Sequence, residues 1–208
     1  MMADIASMGG ELFVMDDGWF GDKYPRDTDT SSLGDWTVNK RKLPEGIEGL
    51  IRNAKENGIE FGIWIEPEMT NISSELYETH PEWIVNASDR PLVTGRGGTQ
   101  LVLDLGNPDV QDFVFSVIDG LMTQYPDLDY IKWDANMGIK SHGSSYLTKD
   151  NQSHLYIDYH RGFEKICKRI RSKYPKLTIQ ACASGGVRWR SPLRGLFSGS
   201  QQEWHPHF

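Results

Sequence analysis

Four short apolar runs, each ending in polar and chemically capable residues, alternate along this chain with stripes of helical period. The runs begin near Leu12, Phe61, Tyr130 and Leu177, and they end in Asp16-Asp17, Glu66-Pro67-Glu68, Lys132 with Asp134, and Cys182 with Ser184-Gly185-Gly186. Between them lie Ile47, Leu50, Ile51 and Ala54, stopped by Asn57-Gly58. Next come Val110, Phe113, Val114, Val117, Ile118 and Leu121, opened by Asn107-Pro108, and then Tyr156, Tyr159, Phe163, Ile166 and Ile170. Spacings of three and four mark one face of a helix, and Asn before Pro is a helix start. Shorter helical pieces are expected before Gly9-Gly10 and over residues 74–80, with a further extended run at 101–105.

Strands that are apolar throughout and alternate with helices belong to the α/β class, in which helices cover the sheet. The polar strand ends choose between an open doubly wound sheet and a barrel. A (β/α)8 TIM barrel assembles its site from the C-terminal ends of several strands, and every run here ends in reactive groups. No Gly-rich phosphate fingerprint follows the first run, which counts against a nucleotide-binding sheet. The 208 residues suffice for one core, but a whole barrel needs roughly 250. The expectation is an incomplete barrel holding about strands two to five.

The richest stretch is Tyr130-Ile131-Lys132-Trp133-Asp134-Ala135-Asn136. Residues two apart on a strand share a face, so Lys132 and Asp134 are expected to project together near its end. A cation beside a carboxylate favours the ionised acid, which suits a nucleophile or charge stabiliser better than a general acid. The residues alone leave a surface ion pair open as the alternative.

Net charge is −7 and basic residues form no run, which disfavours nucleic acid and anionic membrane surfaces as partners. Cys167 and Cys182 give neither a disulfide framework nor a metal spacing. The six histidines show no metal pattern and are expected on surfaces. No stretch reaches the ~18 apolar residues of a membrane helix, and residues 1–10 carry no signal-peptide pattern. A cytoplasmic location follows as the expectation, with neither cofactor nor metal.

Six segments together carry a resemblance: Phe13-Val14-Met15-Asp16-Asp17-Gly18-Trp19-Phe20, Leu33-Gly34-Asp35-Trp36, Phe61-Gly62-Ile63-Trp64-Ile65-Glu66-Pro67-Glu68-Met69, Leu101-Val102-Leu103-Asp104-Leu105, Ile131-Lys132-Trp133-Asp134 and Cys182-Ala183-Ser184-Gly185-Gly186. In that order they resemble the catalytic barrel of glycoside hydrolase family 36, the bacterial-type α-galactosidases. The resemblance implies retaining hydrolysis of terminal α-D-galactosides such as melibiose and raffinose-type sugars, with two carboxyl groups flanking the bond. It makes Asp134 the nucleophile and Lys132 a contact for galactose hydroxyls. Asp16 and Asp17 would bind the hydroxyls that distinguish galactose, Trp64 would line the pocket and Arg96 would add a polar contact. Cys182 and Gly185 would shape the wall. Glu66 and Glu68 receive no chemical role and read as hydrogen-bonding supports. Full-length relatives are implied to be homo-oligomers that take a small oligosaccharide. Other readings stay open for single residues: core for Trp64, a solvated side chain for Arg96, and a small buried group for Cys182.

The family's acid/base aspartate belongs to the next barrel strand, in a Ser-Asp context, yet no aspartate follows Asp158. Beyond Gly186 the chain changes character, and Glu203 is the only acidic side chain there. Residues 1–186 are therefore expected to be the partial barrel. Residues 187–208 are expected to be a truncated or aberrant tail, as from a shifted reading frame. Two other functions are carried forward: an inactive galactoside-binding fragment, and a related retaining α-glycosidase such as an α-N-acetylgalactosaminidase.

Overall fold

The computed structural model describes residues 1–87 and 89–182. The expectations for Gly185 and for residues 187–208 lie outside the described residues. Four strands form one parallel sheet in the order β1 (Leu12–Met15), β2 (Glu60–Ile65), β5 (Tyr130–Trp133) and β6 (Thr178–Ala181). The long helices α2 (Gly46–Glu56), α4 (Pro108–Gln124) and α5 (Leu155–Lys173) connect them, as the apolar runs and stripes predict. A short α1 (Met2–Ser7) precedes the sheet.

The run at 101–105 has a different place. Only Gln100–Val102 is a strand, β4, and it pairs antiparallel with β3 (Met69–Asn71) outside the parallel sheet. Pro67 follows β2 and supplies no amide for a ladder, so the chain turns and begins this second pair. Sequence reading missed β3 because three residues are too few to display a period. The next helix, α3 (Glu75–Thr79), is capped by Ser74, whose hydroxyl accepts from Tyr77 N at 3.0 Å. Asp35 caps it as well, accepting from the backbone N–H groups of Glu75 and Leu76 at 2.8 and 3.0 Å. The Asp35 of the second segment is therefore a helix cap.

The sheet divides its residues by parity. Ile63, Ile65, Ile131 and Trp133 are fully buried, as are Ile47, Val114, Ile118, Ile166 and Ile170 of the helices that pack on the sheet. Trp133 sets its ring perpendicular to that of Phe163, with centroids 5.6 Å apart. Tyr156 leaves the expected stripe, being 44% exposed, while Leu155 takes the buried position. The opposite parity brings Gly62 beside Tyr130 and Trp64 beside Lys132. A Cβ on Gly62 would lie 2.9 Å from Tyr130 Cβ, so only glycine admits the tyrosine on that face. Among the described residues no helix is long and apolar enough to cross a membrane.

Candidate active site

The strand register assembles the site. One residue beyond the Met15–Ile63 pair, Asp16 comes level with Trp64, which is itself paired with Lys132. The ladder also continues past β5 and β6: Asp134 N donates to Ile65 O at 2.8 Å, and Cys182 N donates to Trp133 O at 2.7 Å. Asp16, Trp64, Lys132, Asp134 and Cys182 thus share one face at the C-terminal end of the sheet.

Asp134 is 6% exposed, and its carboxylate is held from several sides. Oδ2 accepts from Trp64 Nε1 at 3.1 Å and from Asn136 Nδ2 at 2.7 Å, while Oδ1 accepts from Ala135 N at 2.9 Å. The Cys182 thiol lies close enough to Asp134 to feel its charge. Burial pushes that thiol up and the charge of Asp134 pushes it further, so it stays protonated beside the carboxylate. Trp64 unites the two roles left open for it. Its ring lies in an aromatic cluster with Phe20 and Trp36, at centroid distances of 6.2 and 6.3 Å, and its N–H orients the carboxylate.

Lys132 does not make its ion pair with Asp134. Its Nζ reaches Asp16 Oδ2 at 2.9 Å, across β2 to the end of β1. The Asp134 oxygens are already taken by Trp64, Ala135 and Asn136, whereas the long lysine chain on the same face spans the width of β2 to the more exposed carboxylate of Asp16. Burial works against the Lys132 ammonium, but the hydrogen bond and charge of Asp16 outweigh it and raise its pKa. Burial likewise works to raise Asp16, and Lys132 with the Asp17 amide holds that carboxyl below its ordinary value.

Asp17 is gripped by Arg26, which sequence reading did not single out. Arg26 is 4% exposed; its Nε donates to both Asp17 oxygens at 3.0 and 3.1 Å, and Nη2 donates to Oδ2 at 2.8 Å. Nη1 ties the same guanidinium to Ser31 O and Asn71 Oδ1. The planar fork matches a carboxylate, but a single arginine in a polar loop has no pattern by which to find it. Arg96 stands at the edge of this network. It is half exposed and pairs with Asp29 at 2.8 Å, while Asp29 in turn lies 3.6 Å from Arg26. Its connection to Asp17 is therefore indirect.

Glu66 and Glu68 take the supporting places expected of them. Glu66 Oε1 accepts from Gln100 Nε2 at 3.0 Å and from the backbone N–H of Asn136. Glu68 accepts from Trp133 Nε1 and from the Tyr159 hydroxyl, both at 2.7 Å. Among the described residues no group of three His, Cys, Asp or Glu side chains is placed to hold a metal. Two clefts of ≈360 and ≈350 Å³ flank Gln124 and Tyr125, and neither is lined by Asp134 or Lys132. Side-chain convergence, and not cavity size, marks the site.

The melibiase family profile matches residues 1–206. The chain is 42% identical over 184 residues to the α-galactosidase AgaA of Geobacillus stearothermophilus, covering 88% of this chain and 24% of that protein. It is 40% identical over 201 residues to the bifunctional α-galactosidase/sucrose kinase AgaSK of Mediterraneibacter gnavus, covering 97% of this chain and 20% of that one. Among solved structures, the α-galactosidase of Lactobacillus brevis superposes with a TM-score of 0.83 at 41% identity, over 89% of this chain and 24% of that chain. A variant of AgaA in complex with raffinose superposes with a TM-score of 0.82 at 40% identity, over 89% and 25% of the two chains. The chain thus spans about a quarter of the length of these relatives, and its parallel sheet is part of their TIM-barrel catalytic domain. With the ordered segments, the shared barrel face and these likenesses in agreement, the chain belongs to the melibiase family, the α-galactosidases of glycoside hydrolase family 36.

Proposed function

We propose that this chain carries the nucleophile side of a retaining α-galactosidase site for terminal α-D-galactosides of the melibiose and raffinose type. The observation that carries the reading is the placement of Asp134, a buried carboxylate at a barrel strand end held by Trp64, Ala135 and Asn136. A nucleophile that forms a covalent glycosyl-enzyme gains from such orientation, because the attacking oxygen must lie in line with the anomeric carbon. Asp16 and Asp17, each already bound to a cation, offer acceptors for the hydroxyls that distinguish galactose, and Lys132 offers a donor beside them. Arg96 belongs to the outer part of the same polar rim through Asp29. The AgaA complexes with raffinose and stachyose support an oligosaccharide as the ligand class. The acid/base is assigned to no described residue. The free Cys167 and Cys182 suit a reducing compartment such as the cytoplasm, and assembly of the full-length enzyme into homo-oligomers belongs to the same proposal.

The test uses a substrate whose leaving group departs without acid assistance, such as an activated aryl α-galactoside or an α-galactosyl fluoride. Intact mass spectrometry should detect one added hexosyl unit, mapping to the peptide that contains Asp134 and missing from Asp134→Ala. Label on another residue overturns Asp134 as the nucleophile. Binding of galactosides without any label favours the alternative of a non-catalytic galactoside-binding chain.

A further inference from the structure

Glu66 is a buried carboxyl for which the proposed chemistry has no use. It follows directly on β2, is 1% exposed, and accepts both of its described hydrogen bonds on one oxygen. Gln100 Nε2 donates to Oε1 at 3.0 Å, and the backbone N–H of Asn136 donates to the same atom. The side-chain amide of that same Asn136 donates to Asp134 Oδ2 at 2.7 Å. Glu66 therefore holds the backbone of the residue whose side chain holds Asp134.

A proton on Oε2 would break neither of these hydrogen bonds, so the bracket survives a change of charge. The surroundings decide which charge it takes. Gln100 on β4 and Asn136 beyond β5 face it with neutral amides, and Glu68 turns its carboxylate to Trp133 and Tyr159 instead. Asp134 is the charged group that acts on it. Burial pushes the Glu66 carboxyl up to about 7, the charge of Asp134 acts in the same direction, and the amides pull against both.

We propose that Glu66 is a proton-holding positioning residue for Asp134. It keeps the Asn136 amide on the Asp134 carboxylate in either protonation state, and it releases its proton to solvent when the negative charge of Asp134 is lost. The geometry stands by itself; its catalytic meaning rests on the proposed function. There, an Asp134 oxygen forms a bond to the anomeric carbon, the glycosidic C–O bond breaks and its electron pair leaves with the departing oxygen. Asp134 becomes a neutral ester, and Glu66 ionises beside it.

Carboxyl-carbon NMR of the full chain, labelled with ¹³C in its glutamate and aspartate side chains, reads this directly. Glu66→Gln identifies the resonance. The parent should titrate near neutrality, at about 7, and Asp134→Asn should lower that midpoint by about one unit. A merely structural Glu66 would keep its midpoint when Asp134 is neutralised. An ordinary carboxyl midpoint in the parent, or no displacement in a folded Asp134→Asn chain, overturns the proposal; Asp134→Ser repeats the comparison should the Asn variant unfold. A second measurement follows the Asn136 side-chain amide signal. It should keep its position in Glu66→Gln, which copies the protonated form, and lose it in Glu66→Ala. Loss in both overturns the claim that either protonation state holds Asn136. These titrations need no galactosyl adduct, so failure of the labelling experiment and failure of this proposal are separate results.

Discussion

Asp134 owes its orientation to donors that come from two places in the chain: Trp64 on β2, and Ala135 with Asn136 just beyond β5. A hydrogen bond to a charged acceptor contributes about 1.5–3 kcal/mol. Trp64→Phe keeps the ring in its cluster with Phe20 and Trp36 but removes the N–H. The rate of covalent labelling of Asp134 should then fall roughly 10- to 100-fold, read as adduct formed against time. An unchanged rate would detach Trp64 from the reacting group. Arg26 acts comparably on Asp17. With its guanidinium buried, shortening it would leave a charged partner without its fork, and such losses are costly. Neither dependence is visible from composition, because a tryptophan and an arginine are as common in cores and loops as in sites.

Among the elements, α5 makes the closest approach. A Cβ on Gly162 would lie 1.8 Å from the Leu105 carbonyl oxygen, so α5 packs directly on the backbone that leads from β4 into α4. Gly162→Ala must push the helix outward and should cost at least about 2 kcal/mol. Gly120 on α4 is the control, since a Cβ there meets nothing within 4 Å. Gly120→Ala should stabilise the chain by about 1 kcal/mol through helix propensity. Urea unfolding of the two variants checks both signs at once, and equal effects would mean that the α5 contact gives way freely. The other elements explain themselves more simply: Asn107 caps α4 by accepting from Asp109 N at 3.0 Å, with Pro108 at the first helical position.

For the whole molecule, the buried carboxyls predict a stability profile. Glu66 is raised from 4.5 to about 7, chiefly by burial, and Asp104 and Asp35 are raised with burial as the first cause. A carboxyl whose folded pKa lies above its unfolded one costs nothing below the unfolded value. It destabilises the fold increasingly as pH rises from 4.5 towards 7, and the full penalty stands above that. For Glu66 the penalty is roughly 3 kcal/mol at most. Glu66→Gln removes the ionisation and leaves Oε1 as an acceptor. Thermal unfolding should therefore give the variant its largest gain over the parent above neutral pH, with the difference shrinking as pH falls to mild acid. A difference independent of pH would mean that Glu66 stays ionised, or stays neutral, throughout.

The apolar runs, their alternation with helical stripes and the polar residues at their ends determine the class of fold and the end of the sheet that bears the site. These are local quantities: a period of two or of 3.6, a cap, a stop. Pleat parity already places Lys132 and Asp134 on one face. Parity alone does not say which strand lies beside which, or in what register. That depends on how the helices pack, and it moves side chains by whole residue spacings. Only the tertiary structure therefore pairs Lys132 with Asp16 in place of Asp134, brings Arg26 to Asp17, turns Asp35 into the cap of α3 and closes Glu66, Asn136 and Asp134 into one bracket. Lys132 with Asp16, Glu66 with Asn136 and Asp35 with α3 join groups far apart in the chain. The nearer contacts of Arg26 with Asp17 and Asn136 with Asp134 depend on loop paths that no periodicity encodes.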